Sequence, residues 1–274
     1  MKQILFALSF FISFHGFSQR NLTVRKNQSK IIVTAIQSLL IDTLILEDNA
    51  RIIIDDNVAA FSLIAKHATI GNNVVIDGSR KTIPSNGANG QNGTDAPDYC
   101  TLPGEGKNGQ NGADGTDAAD IFLYFRINSI GSLRVVTDGT NGAMGGNGGS
   151  GGAGANSSPS LLSACTAKPG GSGGKGGNGG SGGRGGTLVF NYSFIDPSGH
   201  FLSNQPPLSQ VQLETNGGKG GNGGIGGQTG HPGKKTSGII DQSLNQSVPI
   251  SINGSLGQNG KGGSFSKTNI KQDL

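Results

Sequence analysis

Gly170-Gly-Ser-Gly-Gly-Lys-Gly-Gly-Asn-Gly-Gly-Ser-Gly-Gly-Arg-Gly-Gly186 carries glycine at two of every three positions. Three residues per turn, each rising about 3.1 Å, is the geometry of the polyproline II helix, in which this stretch would be about 50 Å long. Glycine at every third place strips one face of side chains, so a second helix can approach until N–H and C=O groups bond between the two. That satisfies backbone groups which an isolated helix of this kind leaves to water. Two glycines per triplet bare two faces and suit a helix between neighbours; one glycine suits an edge. Ordering glycine is entropically expensive, and only a cooperative bundle with many shared hydrogen bonds offsets it.

Five other runs keep the period. The first is Gly87, Gly90 and Gly93; the second Gly106, Gly109, Gly112 and Gly115. The third goes Gly139, Gly142, Gly145, Gly148, Gly151 and Gly154, and residues 170–186 are the fourth. The fifth is Gly217, Gly220, Gly223 and Gly226, doubled from Gly218 onward; the sixth is Gly254, Gly257, Gly260 and Gly263. Residues 86–263 thus hold 47 of the 50 glycines. By the bare-face rule the fourth and fifth runs and the second half of the third are interior, and the first, second and sixth lie outside. A flexible glycine-rich linker is the plain alternative. Against it stand the strict period, the Asn-Gly rather than Ser-Gly character and the repeated return to β sequence. The period is collagen-like, but a triple helix needs much proline, and these runs have almost none. Calcium-binding nonapeptides need Asp after Gly-Gly, and a phosphate loop needs Lys-Ser/Thr before a helix; both patterns are missing.

These triplets resemble those of glycine-rich polyglycine II helix-bundle proteins, the snow-flea antifreeze protein and the tip adhesins of some bacteriophage tail fibres. The resemblance covers residues 86–263 and implies a bundle of such helices. It speaks for the fold and much less for the function.

Residues 31–83 read differently. Leu39-Leu-Ile41, Leu44-Ile-Leu46, Ile52-Ile-Ile54, Leu63-Ile64 and Val74-Val-Ile76 alternate with Asp48-Asn49, Asp55-Asp-Asn57, Gly71-Asn-Asn73 and Asp77-Gly78. Short β-branched strands between Asn/Asp/Gly turns at intervals of about 8–12 residues indicate all-β architecture. Stacked parallel β-solenoid coils fit this cadence, with a small sandwich as the competing arrangement. Strand sequence returns between the glycine runs as Ile121-Phe-Leu-Tyr-Phe-Arg-Ile127, Leu133-Arg-Val-Val136, Leu188-Val-Phe-Asn-Tyr-Ser-Phe-Ile195 and Val211-Gln-Leu213. The expected fold class is all-β: solenoid-like strands over 19–84, a polyglycine II bundle with interleaved strands over 85–263, and a polar tail over 264–274. No α-helix is expected in the mature chain.

Residues 1–18 carry the pattern of a secretory signal peptide. Lys2 precedes an apolar run from Ile4 to Phe14, and Gly16 and Ser18 supply small residues for cleavage, expected after Ser18. The run falls short of the roughly 20 apolar residues of a membrane span, and no Cys follows it to carry a lipid. The leader resembles signal peptides of the Bacteroidetes. A net charge of +4, with Lys and Arg scattered, excludes the clustered basic face of a nucleic-acid binder.

Export into an oxidising space makes a Cys100–Cys165 disulfide the default. Both lie in irregular loops joining consecutive runs, and out-and-back hairpins would bring both loops to one end. Closing a loop of about 66 residues stabilises by roughly 4 kcal/mol in the chain-entropy model. A third tip is expected over 234–249. His67, His200 and His231 have no partner at metal-ligand spacing. Asp55-Asp56 could be paired carboxylates of a glycosidase-like groove, but neighbours in a strand face opposite ways and a turn fits better. No Ser or Cys stands with an evident base. The expectation is a non-enzymatic protein without metal or cofactor.

Binding is expected at the tips, through Tyr99 and Leu102, Leu161 and Leu162, and Ile239 and Ile240, unless these pack beneath the tips. The leading expectation is a surface or secreted adhesin-like protein binding glycan, matrix or a cell-surface protein. A structural or accessory subunit of an envelope assembly is the alternative, with a periplasmic location. Ice binding ranks lower, since Lys175, Arg184 and Lys219 spoil a flat face, and a carbohydrate-active enzyme ranks lower still.

Overall fold

The computed structural model describes residues 18–32, 38–158, 165–202, 209–235 and 268–272. Among these residues the regular elements are strands, without a helix: β1 (Ser18–Val24), β2 (Ser29–Ile32), β3 (Ser38–Leu46), β4 (Arg51–Ile54), β5 (Ala60–Ile70), β6 (Val74–Asp77), β7 (Asp120–Ile130), β8 (Leu133–Val136), β9 (Leu188–Phe194), β10 (Val211–Glu214) and β11 (Thr268–Gln272). Odd-numbered strands form one sheet in the order β1-β3-β5-β7-β9-β11, and even-numbered strands form another in the order β10-β8-β6-β4-β2. Every strand pairing is parallel. The chain therefore changes sheet after each strand and lays each new strand beside the one before last.

The burial pattern explains the arrangement. β3 buries Leu39, Ile41, Leu44 and Leu46, and β4 buries Ile52 and Ile54. Each sheet turns these faces toward one shared core. Register stacks like on like: Leu39, Leu63, Leu123 and Phe190 lie on successive strands, as do Phe61, Ile121 and Leu188. Late in the stack the core becomes aromatic, with Phe125, Phe190, Tyr192 and Phe194 packed ring to ring at 5.5–5.7 Å.

The turns between sheets repeat as well. Asn27, Asn49 and Asn73 have φ of 60°, 59° and 55°, a left-handed conformation that Asn adopts more readily than most residues. Asn49 Nδ2 donates to Asn27 Oδ1 at 2.9 Å, 22 residues away, and the Asn72 amide donates to Asp48 Oδ1, 24 residues away. β5 is irregular against β7. Ala65 pairs with Phe125 and Ala68 with Ile127, so Lys66 and His67 together oppose Arg126 in a bulge.

After β6 the strand-to-strand path lengthens by insertion of the glycine runs. Gly87, Gly90 and Gly93 donate to Met144, Asn147 and Ser150 of the third run, whose Gly142, Gly145 and Gly148 donate to Lys219, Asn222 and Ile225 of the fifth. Gly106, Gly109, Gly112 and Gly115 donate likewise to Ser172, Lys175, Asn178 and Ser181 of the fourth. Runs one, three and five thus form one row and runs two and four a second. Antiparallel bonds join the rows, such as Gly174 to Gly149 and Gly177 to Gly146. The third run is bonded along its length to the first, second, fourth and fifth.

That placement bears on the bare-face rule in the third and fifth runs. The first half of the third run is interior although its triplets hold single glycines. Gly146, Gly149 and Gly152 face the carbonyls of Ala88, Gln91 and Thr94; toward the ends of the shorter first run, Ala143 and Ala155 take the equivalent places and are buried. The fifth run bonds to the third and fourth, with Lys219, Asn222, Ile225 and Gln228 exposed. The sixth run lies outside the described residues.

Asparagine explains the Asn-Gly character. Asn86, Asn89, Asn92 and Asp95 each accept, through Oδ1, the amide 58 residues later. Asn108, Asn111, Asp114 and Asp117 do so at 67 residues, and Asp138, Asn141, Asn147 and Asn156 at 78. Most of these side chains stand just before a glycine, and each satisfies an amide in the next run of its row. Arg80 fastens rows to sheets, donating to the carbonyls of Asp55, Val58 and Asp117 at 2.7–3.0 Å.

Candidate functional site

Cys100 and Cys165 are disulfide-bonded, with Cα atoms 5.7 Å apart, and so tie the link between runs one and two to that between runs three and four. The turn at Cys100 is tight, with φ of 68°, and is closed by the Thr101 hydroxyl donating to the Asp98 carbonyl at 2.7 Å. Tyr99 and Leu102 flank it, 55% and 71% exposed. Tyr99 also lines a shallow polar groove with Ala96, Pro97, Asp98, Ala155 and Asn156. The start of the third link lies alongside, the Ser157 amide donating to the Lys234 carbonyl and the Lys234 amide to Asn156 Oδ1. Leu161, Leu162, Ile239 and Ile240 lie outside the described residues, as do residues 1–17.

Asp55 and Asp56, the carboxylates singled out from sequence, are engaged in local hydrogen bonds. Asp55 Oδ1 accepts the Asn57 amide at 3.0 Å and its side-chain Nδ2 at 2.7 Å. Asp56 accepts the Thr82 hydroxyl at 2.6 Å and the Thr82 amide at 2.9 Å. Burial pushes the Asp56 carboxyl up, but the Thr82 and Lys81 hydrogen bonds, with the nearby Arg80, hold it below its ordinary value. His200 does have a carboxylate partner, Asp196 Oδ2 at 3.3 Å. The four-residue spacing escaped notice because it falls in a turn and not on a helix face. Among the described residues no group of three or more His, Cys, Asp or Glu is placed to hold a metal ion. No helix there is long and apolar enough to cross a membrane.

A second feature was missed from sequence. On the outer face of the odd-strand sheet, Leu40, Ile64, Tyr124 and Asn191 fall in one register row across β3, β5, β7 and β9. They line a cleft of about 370 Å³. One wall is Phe201, 62% exposed, which the chain brings back over the sheet by an Ile195–Phe201 bridge. The Arg126 guanidinium lies 5.0 Å from its ring centre. Lys66, from the bulge, lines the cleft too and pairs with Asp42 at 2.7 Å. The Oδ1 atom of Asn191 is buried without a hydrogen-bond partner, a state that costs about 1–3 kcal/mol. The one sequence signal was a polar residue inside the aromatic strand Phe190-Asn-Tyr192.

No protein-family model matches the chain, and no curated protein matches it. Among solved structures, the chain is similar at 26% identity to a springtail antifreeze protein from Granisotoma rainieri, a bundle of nine polyproline type II helices whose crystal waters match the ice lattice. The match covers 59% of this chain and 94% of that one, with a TM-score of 0.11.

Proposed function

We propose that this chain is an exported, non-enzymatic, adhesin-like binding protein. In this reading it is a β-solenoid whose later coils extend into a polyglycine II bundle that displays connecting loops at its far end. The observation carrying the proposal is the cross-linked tip: exposed Tyr99 and Leu102 bracket a disulfide at the end of rows in which each run bonds to its neighbours at every triplet. Binding residues are commonly held on loops by a rigid scaffold, and a disulfide suits an oxidising compartment. The leader-like residues 1–18 supply the route out of the cytoplasm.

The alternative is a structural or accessory subunit of an envelope assembly. It draws on the outer face of the fifth run, where Ile225 stands 64% exposed between Asn222 and Gln228, as on a contact surface. Protease shaving of intact host cells separates the two. Loss of the protein on shaving, or its recovery from the medium, is the expected outcome. Protection in intact cells with cleavage only after lysis would overturn the adhesin reading and leave the assembly subunit.

A further inference from the structure

The cleft on the odd-strand sheet combines features that packing alone does not explain. Leu40, Ile64, Tyr124 and Asn191 follow one another across four adjacent strands, and at the usual strand spacing of about 4.8 Å this row is about 14 Å long. Its volume of about 370 Å³ lies in the range of small-molecule sites. Tyr124 and Phe201 offer aromatic surface while remaining partly exposed. Buried Asn191 Oδ1 is an acceptor without a donor. Bulges commonly re-aim a side chain beside a site, and here the bulge in β5 carries Lys66, which lines the cleft.

Charge narrows the ligand. Asp42 answers Lys66, whereas among the described residues no carboxylate lies within ion-pair reach of Arg126. The cleft therefore wants an anion, a hydrogen-bond donor for Asn191 and an apolar ring face for its aromatics.

We propose that it is a subsite for an acidic oligosaccharide. A sugar carboxylate bonds Arg126 in the two-pronged manner that guanidinium favours, a hydroxyl donates to Asn191 Oδ1, and the C–H face of the ring lies on Tyr124 and Phe201. The inference rests on the reading of the chain as a binding protein and names a ligand class, but it places the contact on the sheet and not at the tips.

Calorimetric titration of the mature full chain tests it, with tetragalacturonate and 3′-sialyllactose as acidic probes and methyl-esterified tetragalacturonate as the neutral one. One acidic probe is expected to bind saturably, and Arg126→Gln to weaken it about tenfold or more, the scale of a lost hydrogen bond to a charged group. Tyr124→Ala weakens the bound probe further. Asn191→Leu weakens binding yet raises Tm, because it removes the orphaned acceptor; a purely structural asparagine would lower Tm. Tyr99→Ala and Leu102→Ala leave the affinity unchanged. Absence of saturable binding by both acidic probes overturns the inference, as does equal binding of ester and acid, indifference to Arg126→Gln, or loss in the tip variants. None of these results bears on cell-surface exposure, which the shaving experiment reads separately.

Discussion

Glycine is required in the rows chiefly because a methyl group would have nowhere to go. A Cβ at Gly177 would stand 1.9 Å from the Gln110 carbonyl oxygen and 2.4 Å from its carbon, and one at Gly224 2.0 Å from the oxygen of Gly146. These neighbours are backbone and cannot swing aside. Gly177→Ala is therefore expected to lower stability by about 3 kcal/mol, at the upper end for overpacking a filled interior. The reverse change at a position with room, Ala143→Gly, should cost only about 0.5–1 kcal/mol of added chain freedom, taking the regular-element value as a guide. Denaturant titration of the two variants measures both; equal losses would mean that the rows are looser than their hydrogen bonds indicate. At this scale the sequence was informative but incomplete. Asn before Gly argued against a linker, whereas its use of Oδ1 to accept an amide 58, 67 or 78 residues away depends on which runs are stacked.

A run reports its neighbours through the faces it leaves bare. The fourth run turns Gly174, Gly177, Gly180 and Gly183 toward the second, and Gly173, Gly179 and Gly182 toward the fifth. Two glycines per triplet thus mark two backbone neighbours, as the periodicity suggested. The rule assigned only the second half of the third run; in the first half, buried Ala143 takes the place that Gly146, Gly149 and Gly152 hold farther along. The fifth run bonds to the third and fourth, as an interior place requires. The links between runs carry a different constraint. Replacing Cys100 and Cys165 by Ala frees a loop with a sequence separation of 65 residues and should cost roughly 4 kcal/mol in the chain-entropy model. Denaturation of the double variant, compared with the parent under reducing and oxidising conditions, measures this. A parent unaffected by reductant would show that the rows alone hold the tip.

Across the whole molecule, strands and rows obey one stacking rule. Successive turns are offset by 22 and then 24 residues, and the later offsets of 58, 67 and 78 residues arise where glycine runs are inserted without interrupting either sheet. Strands before and after residue 84 share one core, and Arg80 bonds the rows to the turn before β5. The amides of Gly177 and Gly180 should therefore exchange hydrogen with the same free energy as those of Leu123 and Phe125, in one cooperative opening. Native-state hydrogen exchange under increasing denaturant tests this; rows opening well before the sheets would reveal two independent units.

Local pattern by itself determined the element types: β-branched runs between Asn/Asp/Gly turns make strands, a three-residue glycine period makes extended segments with bare faces, and two cysteines in linking loops form a disulfide. Such features depend on a residue and its near neighbours in the chain. Only the tertiary structure decided which run lies beside which, that one core serves strands on both sides of residue 84, and that Tyr124, Asn191 and Phe201 share a cleft. Those relations join residues about sixty to eighty positions apart. They are set by register between stacked strands, where pairing across the sheet, and not spacing along the chain, determines what meets.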